Sequence, residues 1–137
     1  MCGFCGFVGE TKDREPVLKE MMNTIIHRGP DSDGQYIDDQ AALGFRRLSI
    51  IDLAEGSQPL YNEEGNLVLV FNGEIYNYQS IRKILEEKGH IFKTHTDSEV
   101  LIHAYEEYQT DMLNHLRGMF AFVIWDNKNK VLFGARD

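Results

Sequence analysis

Two cysteines, three residues apart, stand in the opening stretch MCGFCGFVGE. A C-x-x-C pair can run disulfide exchange or give two ligands to a zinc ion. The redox version needs a strand before the pair and a helix starting at it, because the helix dipole lowers the thiol pKa. In this sequence no strand precedes Cys2, and an apolar, strand-like run follows it. A zinc site needs two further ligands in paired spacing. There is no third cysteine, and His27, His90, His95, His103 and His115 show no tight metal spacing, so no metal is expected. Cys5 reads as a small buried hydrophobe. Cys2 is different, because methionine aminopeptidase accepts a small second residue. Loss of Met1 leaves a thiol and a free α-amine on one residue. The amine, with a typical pKa of about 7.7–8.0, is a usable base near neutral pH, and the thiol, at about 8.5, is a nucleophile. One residue then supplies both attacking atom and proton acceptor, as N-terminal threonine nucleophiles do. With Met1 retained, the nitrogen is an amide and cannot act.

These residues need a scaffold, and the periodicity of the chain supplies one. FCGFVG reads as an apolar strand. REPVLKEMMNTIIH reads as a helix, with Val17, Met21 and Ile25 and also Leu18, Met22 and Ile26 recurring at i, i+4. HRGPDSDG is dense in turn residues. QYIDDQ and AALGFRRLSII read as strands, and PLYNEEGNLVLVFNG as a hairpin turning near Glu64 and Gly65. YQSIRKILEEKG is a helix with Ile81, Ile84 and Leu85 on one face and Gly89 as its stop. HIFKTH reads as a strand, TDSEVLIHAYEEY as a helix and DMLNHLRG as a short helix. MFAFVIWDNKNKVLFGARD is a hairpin with a polar tip, and Trp125 reads as core. LVLVF and MFAFVIW are apolar throughout, which predicts strands covered on both faces. Continuous apolar strands usually signal a parallel sheet, but the short tip DNKNK forces an antiparallel pair. The pattern predicts an antiparallel sheet covered on both faces, in a layered α+β fold.

The 137 residues suit one domain, spanning 1–137, and 42% are hydrophobic, which argues against disorder. The formal net charge of -8 argues against a nucleic-acid partner, which wants clustered Lys and Arg. No apolar run is long enough for a membrane span, and the start lacks the pattern of a signal peptide. With no disulfide framework, a reducing cytoplasm is the expected location.

MCGFCGFVG, HRGPDSDG, RRLSIIDL, FNGEIYNY, HTDSE, GMFAFVIWD and LFGARD occur in this order along the whole chain. The set resembles the glutaminase domain of glutamine-hydrolysing asparagine synthetases, within the class II glutamine amidotransferases. That class belongs to the N-terminal-nucleophile hydrolases. The resemblance implies a four-layer αββα sandwich of two antiparallel sheets. It also implies that Cys2 attacks the side-chain amide of glutamine. Asn72, through its side chain, and Gly73, through its backbone N–H, would hold the resulting oxyanion. Read alone, Asn72–Gly73 is a strong hairpin turn signal. Arg47 would clamp the α-carboxylate of glutamine, and its neighbour Arg46 would point the opposite way on a strand. Asp97 would bind the α-ammonium, with Glu74 as a second contact; capping of the following helix by Thr96 or Asp97 is the plainer alternative. The backbone at Leu48, Ser49 and Ile50 would line the pocket. RGPDSDG would order a loop beside the site or be a simple turn. No histidine needs a catalytic role, because the α-amine replaces the base.

The family's domain runs on past LFGARD, so the chain reads as C-terminally truncated. A strand edge near residues 131–137 is expected either to lack its neighbours or to be covered by a second copy in a homodimer. No cofactor is expected for glutamine hydrolysis. ATP, Mg2+ and aspartate are expected only with the absent synthetase domain. Two other readings remain at this stage: a catalytically inert piece of the same fold, and a metal or redox module built on Cys2 and Cys5.

Overall fold

A computed structural model describes residues 2–49 and 56–137. Among the described residues are seven strands: β1 (Gly3–Val8), β2 (Ser32–Ile37), β3 (Ala41–Arg47), β4 (Leu60–Tyr61), β5 (Leu67–Ile75), β6 (Gly118–Asp126) and β7 (Val131–Arg136). The helices are α1 (Arg14–Thr24), α2 (Tyr78–Glu87) and α3 (Glu99–Tyr108), followed by a 3-10 helix over Gln109–His115. The strands form two antiparallel sheets, ordered β1-β3-β2 and β4-β5-β6-β7.

Strand alternation sorts the side chains into layers. Ala41, Leu43 and Phe45 of β3 face Val68 and Val70 of β5 and Trp125 of β6, filling the space between the sheets. Ala42 faces the other way, onto Leu18 and Met22 of α1. Leu67, Leu69 and Phe71 of β5 turn from the first sheet to pack with Ile81, Leu85, Leu101 and Ile102 of α2 and α3. The order helix, sheet, sheet, helix is the expected four-layer α+β sandwich. LVLVF is buried at all five positions, as the run of apolar residues requires. Trp125 is core, yet its indole N–H donates to Asp38 Oδ2 at 2.8 Å, a polar strut between the sheets.

Some expectations fail, each for a physical reason. HIFKTH forms no strand: Glu99 accepts the amide N–H groups of Lys93 and Thr94, at 2.7 Å each, in place of a ladder. Ser32, Asp33 and Gly34 belong to β2 although their types suggest a turn. A Cβ on Gly34 would lie 2.0 Å from the Gln58 carbonyl oxygen, so the glycine serves close packing. Ile84 is 46% exposed, because α2 buries only Ile81 and Leu85. On α1 the Leu18 and Met22 stripe is buried and Val17 faces outward. Met119 is 51% exposed at the start of β6, where the strand borders a pocket rather than a covering layer. The hairpin before β5 turns as expected, with Gly65 at φ 74° and Asn62 Oδ1 accepting the Leu67 N–H. Gly89, at φ 98°, ends α2. Among the described residues β7 pairs only with β6, leaving it at the sheet edge.

Candidate active site

Cys2 sits half-buried just ahead of β1. The Leu48 N–H donates to its Sγ at 3.4 Å, and Arg28 Nε donates to its carbonyl oxygen at 3.2 Å. The segment that carries Arg28 braces the rest of this end. Asp31 donates its N–H to the Arg47 carbonyl at 3.1 Å and accepts the Ser49 N–H on Oδ2 at 2.7 Å. Asp33 pairs with Arg46 at 2.6 Å, and the Arg46 side chain is only 8% exposed. HRGPDSDG is therefore a brace beside the site.

The two cysteines serve different layers. Cys2 packs against the cluster between the sheets, whereas Cys5 packs toward α1 with Leu18, Met22 and Ala42. Burial pushes the Cys5 thiol pKa up. A shared metal or a mutual disulfide is not what this placement serves.

Asn72 and Gly73 lie inside β5, opposite Ala121 and Phe120 of β6, so the hairpin-turn reading of this pair does not hold. Val68 and Val70 face the first sheet, and alternation puts Asn72 next on that face, at the end where Cys2 lies. Gly73 has φ 143°, and a Cβ there would stand 2.2 Å from the Met119 carbonyl oxygen. The position takes glycine for both reasons.

Cys2, Leu48, Asn72, Gly73 and Glu74 line one pocket of about 450 Å³, together with Met119, Phe120, Ala121, Arg136 and Asp137. A second pocket of about 440 Å³ is lined by Glu74, Ile75, Tyr76, Tyr78 and Asp97, so the two meet at Glu74. Asp97 does not cap α3; Ser98 holds that position, and Asp97 Oδ2 accepts the Ile75 N–H at 2.8 Å. Burial raises the Asp97 pKa. The Ile75 amide and other backbone donors pull against this, nearby Glu74 adds to it, and the net shift is upward. Arg47 ends β3 with its guanidinium against Gly56, and it does not appear among the described residues lining either pocket. Arg46 points to Asp33, as alternation expects. Ile50, and Met1 whose removal the amine chemistry requires, lie outside the described residues.

Sequence reasoning missed Arg28 as the residue holding the Cys2 carbonyl, although it lies inside HRGPDSDG. It also missed Met119–Ala121, whose place opposite Asn72–Glu74 depends on a pairing across more than forty residues of chain. No local pattern carries that register.

Two antiparallel sheets between helices, with a cysteine at the head of the first strand, define an N-terminal-nucleophile type of α+β sandwich. The fold matches B. subtilis glutamine phosphoribosylpyrophosphate amidotransferase with a TM-score of 0.74 and 24% identity, over 93% of this chain and 35% of that one. The glutamine amidotransferase domain model matches residues 1–137, and the chain belongs to that family. It is 49% identical over 142 residues to asparagine synthetase [glutamine-hydrolyzing] 1 of Bacillus subtilis (strain 168), covering 100% of this chain and 22% of that protein. It is 41% identical over 140 residues to asparagine synthetase [glutamine-hydrolyzing] 1 of Arabidopsis thaliana, covering 24% of that protein. The chain thus spans about a fifth to a quarter of the curated relatives it matches. No helix among the described residues is long and apolar enough to cross a membrane.

Proposed function

We propose that this chain hydrolyses glutamine to glutamate and ammonia through a thioester on Cys2, with Met1 removed. The observation that carries the reading is one pocket lined by Cys2 from the first sheet and by Asn72 and Gly73 from the second. The Cys2 thiol attacks the side-chain amide carbon of glutamine, and its proton passes to the α-amine. The carbonyl oxygen becomes an oxyanion, held by the Asn72 side-chain amide and the Gly73 N–H. Collapse breaks the C–N bond. The nitrogen takes the proton from the ammonium of Cys2 and leaves as ammonia. Water then attacks the thioester, gives a proton to the same amine, and releases glutamate and the thiol. Every proton and electron pair comes from Cys2, glutamine and water, so the reaction uses no cofactor.

The α-ammonium of glutamine lies toward Glu74 and Asp97, two carboxylates that line one open cleft. Arg47 meets the α-carboxylate once its guanidinium turns from Gly56 toward the pocket, and Leu48 and Ile50 supply backbone to the substrate. In a protein of the relatives' length, the ammonia passes to an ATP-activated aspartate, with Mg2+ serving that second active site. The free thiols of Cys2 and Cys5 suit a reducing cytoplasm.

The test is intact mass spectrometry before and after incubation with a diazo-ketone analogue of glutamine. The expected result is loss of Met1 and one stoichiometric adduct on Cys2. Absence of an adduct on protein lacking Met1 overturns the reading and leaves an inert domain of the same fold.

A further inference from the structure

Away from this pocket, three potential ligands converge on the outer helical layer. One ring nitrogen each of His90 and His103 and a carboxylate oxygen of Glu106 lie within 4.8 Å of one another. His90 follows the Gly89 turn that ends α2, and its N–H donates to the Leu85 carbonyl at 3.0 Å. His103 and Glu106 belong to α3, one turn apart. The two elements are brought together only by packing, since the histidines stand 13 positions apart in sequence.

Each ring is already oriented by a carboxylate on its flank. His90 Nε2 is 2.8 Å from Glu107 Oε2, and Lys88 Nζ lies 3.5 Å from the other oxygen of Glu107. His103 Nε2 is 3.4 Å from Glu99 Oε1. Such carboxylate–histidine pairs fix the ring and its tautomer in metal sites. Phe92 packs on the His103 ring at 4.5 Å, and His103 is 3% exposed. The second nitrogen of His103, Nδ1, faces Glu106 Oε1 at 3.2 Å. A neutral imidazole carries one N–H, on Nδ1 or on Nε2; with Nε2–H toward Glu99, the Nδ1 lone pair and Glu106 Oε1 are two ligand atoms facing one point. A contact of this length is also close to the ligand–ligand edge of a tetrahedral zinc centre, about 3.3 Å for bonds of about 2.0 Å.

We propose that His90, His103 and Glu106 bind one divalent transition-metal ion of the zinc or cobalt type, which clamps the end of α2 to α3. Two imidazoles and one carboxylate suit such ions and leave a fourth position for water. The ion is structural: the cluster lines neither of the two pockets around Cys2 and Asp97.

The test is titration of chelator-treated protein with Zn2+ and, for its absorption spectrum, Co2+. Expected are saturable 1:1 binding, tetrahedral cobalt bands, and a Tm rise of roughly 5 °C or more at a hundredfold excess over Kd. His90→Ala and Glu106→Gln should each weaken binding at least tenfold and leave glutamine hydrolysis unchanged. Glu106 is exposed, so Glu106→Gln keeps the test valid if His90→Ala folds poorly. Absence of saturable binding overturns the proposal and leaves an ordinary hydrogen bond between His103 and Glu106. Binding that survives both substitutions also overturns it and points to the thiols.

Discussion

The two sheets meet the pocket by different means. On the first sheet, Cys2 lies outside the regular strand, and side chains hold its neighbourhood: Arg28 on its carbonyl, Asp31 on Ser49, Asp33 on Arg46. On the second sheet, Asn72 and Gly73 lie inside a nine-residue strand paired with β6 from Leu67 to Ile75. The proposed nucleophile thus stands ahead of the strand ladder, and the candidate oxyanion donors stand inside one. A group that changes protonation needs access. A group that stabilises developing charge needs to be placed before the reaction begins.

Substitutions can break that division of labour, and Cys2→Ala is the most severe. It should abolish glutamine hydrolysis while leaving Tm and the circular dichroism spectrum as they were; full activity in this variant would end the thioester mechanism. Asn72→Ala should lower kcat by roughly a hundredfold or more with little change in KM, as loss of one oxyanion donor does. An unaltered kcat would make Asn72 merely a strand residue.

Asp97→Asn should raise the KM for glutamine roughly tenfold by removing a charge from the ammonium end. Its pH dependence sharpens the point. The Asp97 pKa is raised, so kcat/KM should begin to fall at a higher pH than an ordinary aspartate gives, and the variant should lose that acidic limb. A group whose folded pKa is raised contributes stability below its unfolded pKa, and that contribution is lost as pH rises through the folded pKa. Asp97→Asn should therefore be at least as stable as the parent at pH 7 in urea unfolding.

A smaller effect is expected on the brace. Asp33→Ala leaves the buried Arg46 guanidinium without its partner. It should cost about 1–3 kcal/mol in urea unfolding, less than a fully buried pair because Asp33 is 56% exposed. Smallest of all, Cys5→Ser should leave the glutaminase rate within about twofold, since Cys5 lies toward α1, away from the pocket. A large loss of activity there would contradict the separation of the two thiols.

The element types were legible because periodicity is local. Leu18 and Met22, Ile81 and Leu85, and the five apolar residues of LVLVF announce which faces need covering, and the DNKNK tip announces antiparallel pairing. HIFKTH was misread because its amides are met by the Glu99 side chain, an interaction no β propensity encodes.

By itself the sequence determined the thiol at position 2, the glycine that β5 requires at position 73, and the ordered motifs that mark the family. Only the tertiary structure decided that Cys2 and Cys5 face different layers and that Asn72 reaches the Cys2 pocket from the other sheet. It alone joined the Asp97 cleft to that pocket at Glu74 and brought His90 beside His103. Chain spacing specifies what lies within a turn of helix or a hairpin. Contacts between layers depend on which faces pack together and in what register, and that is settled by burying the whole core at once.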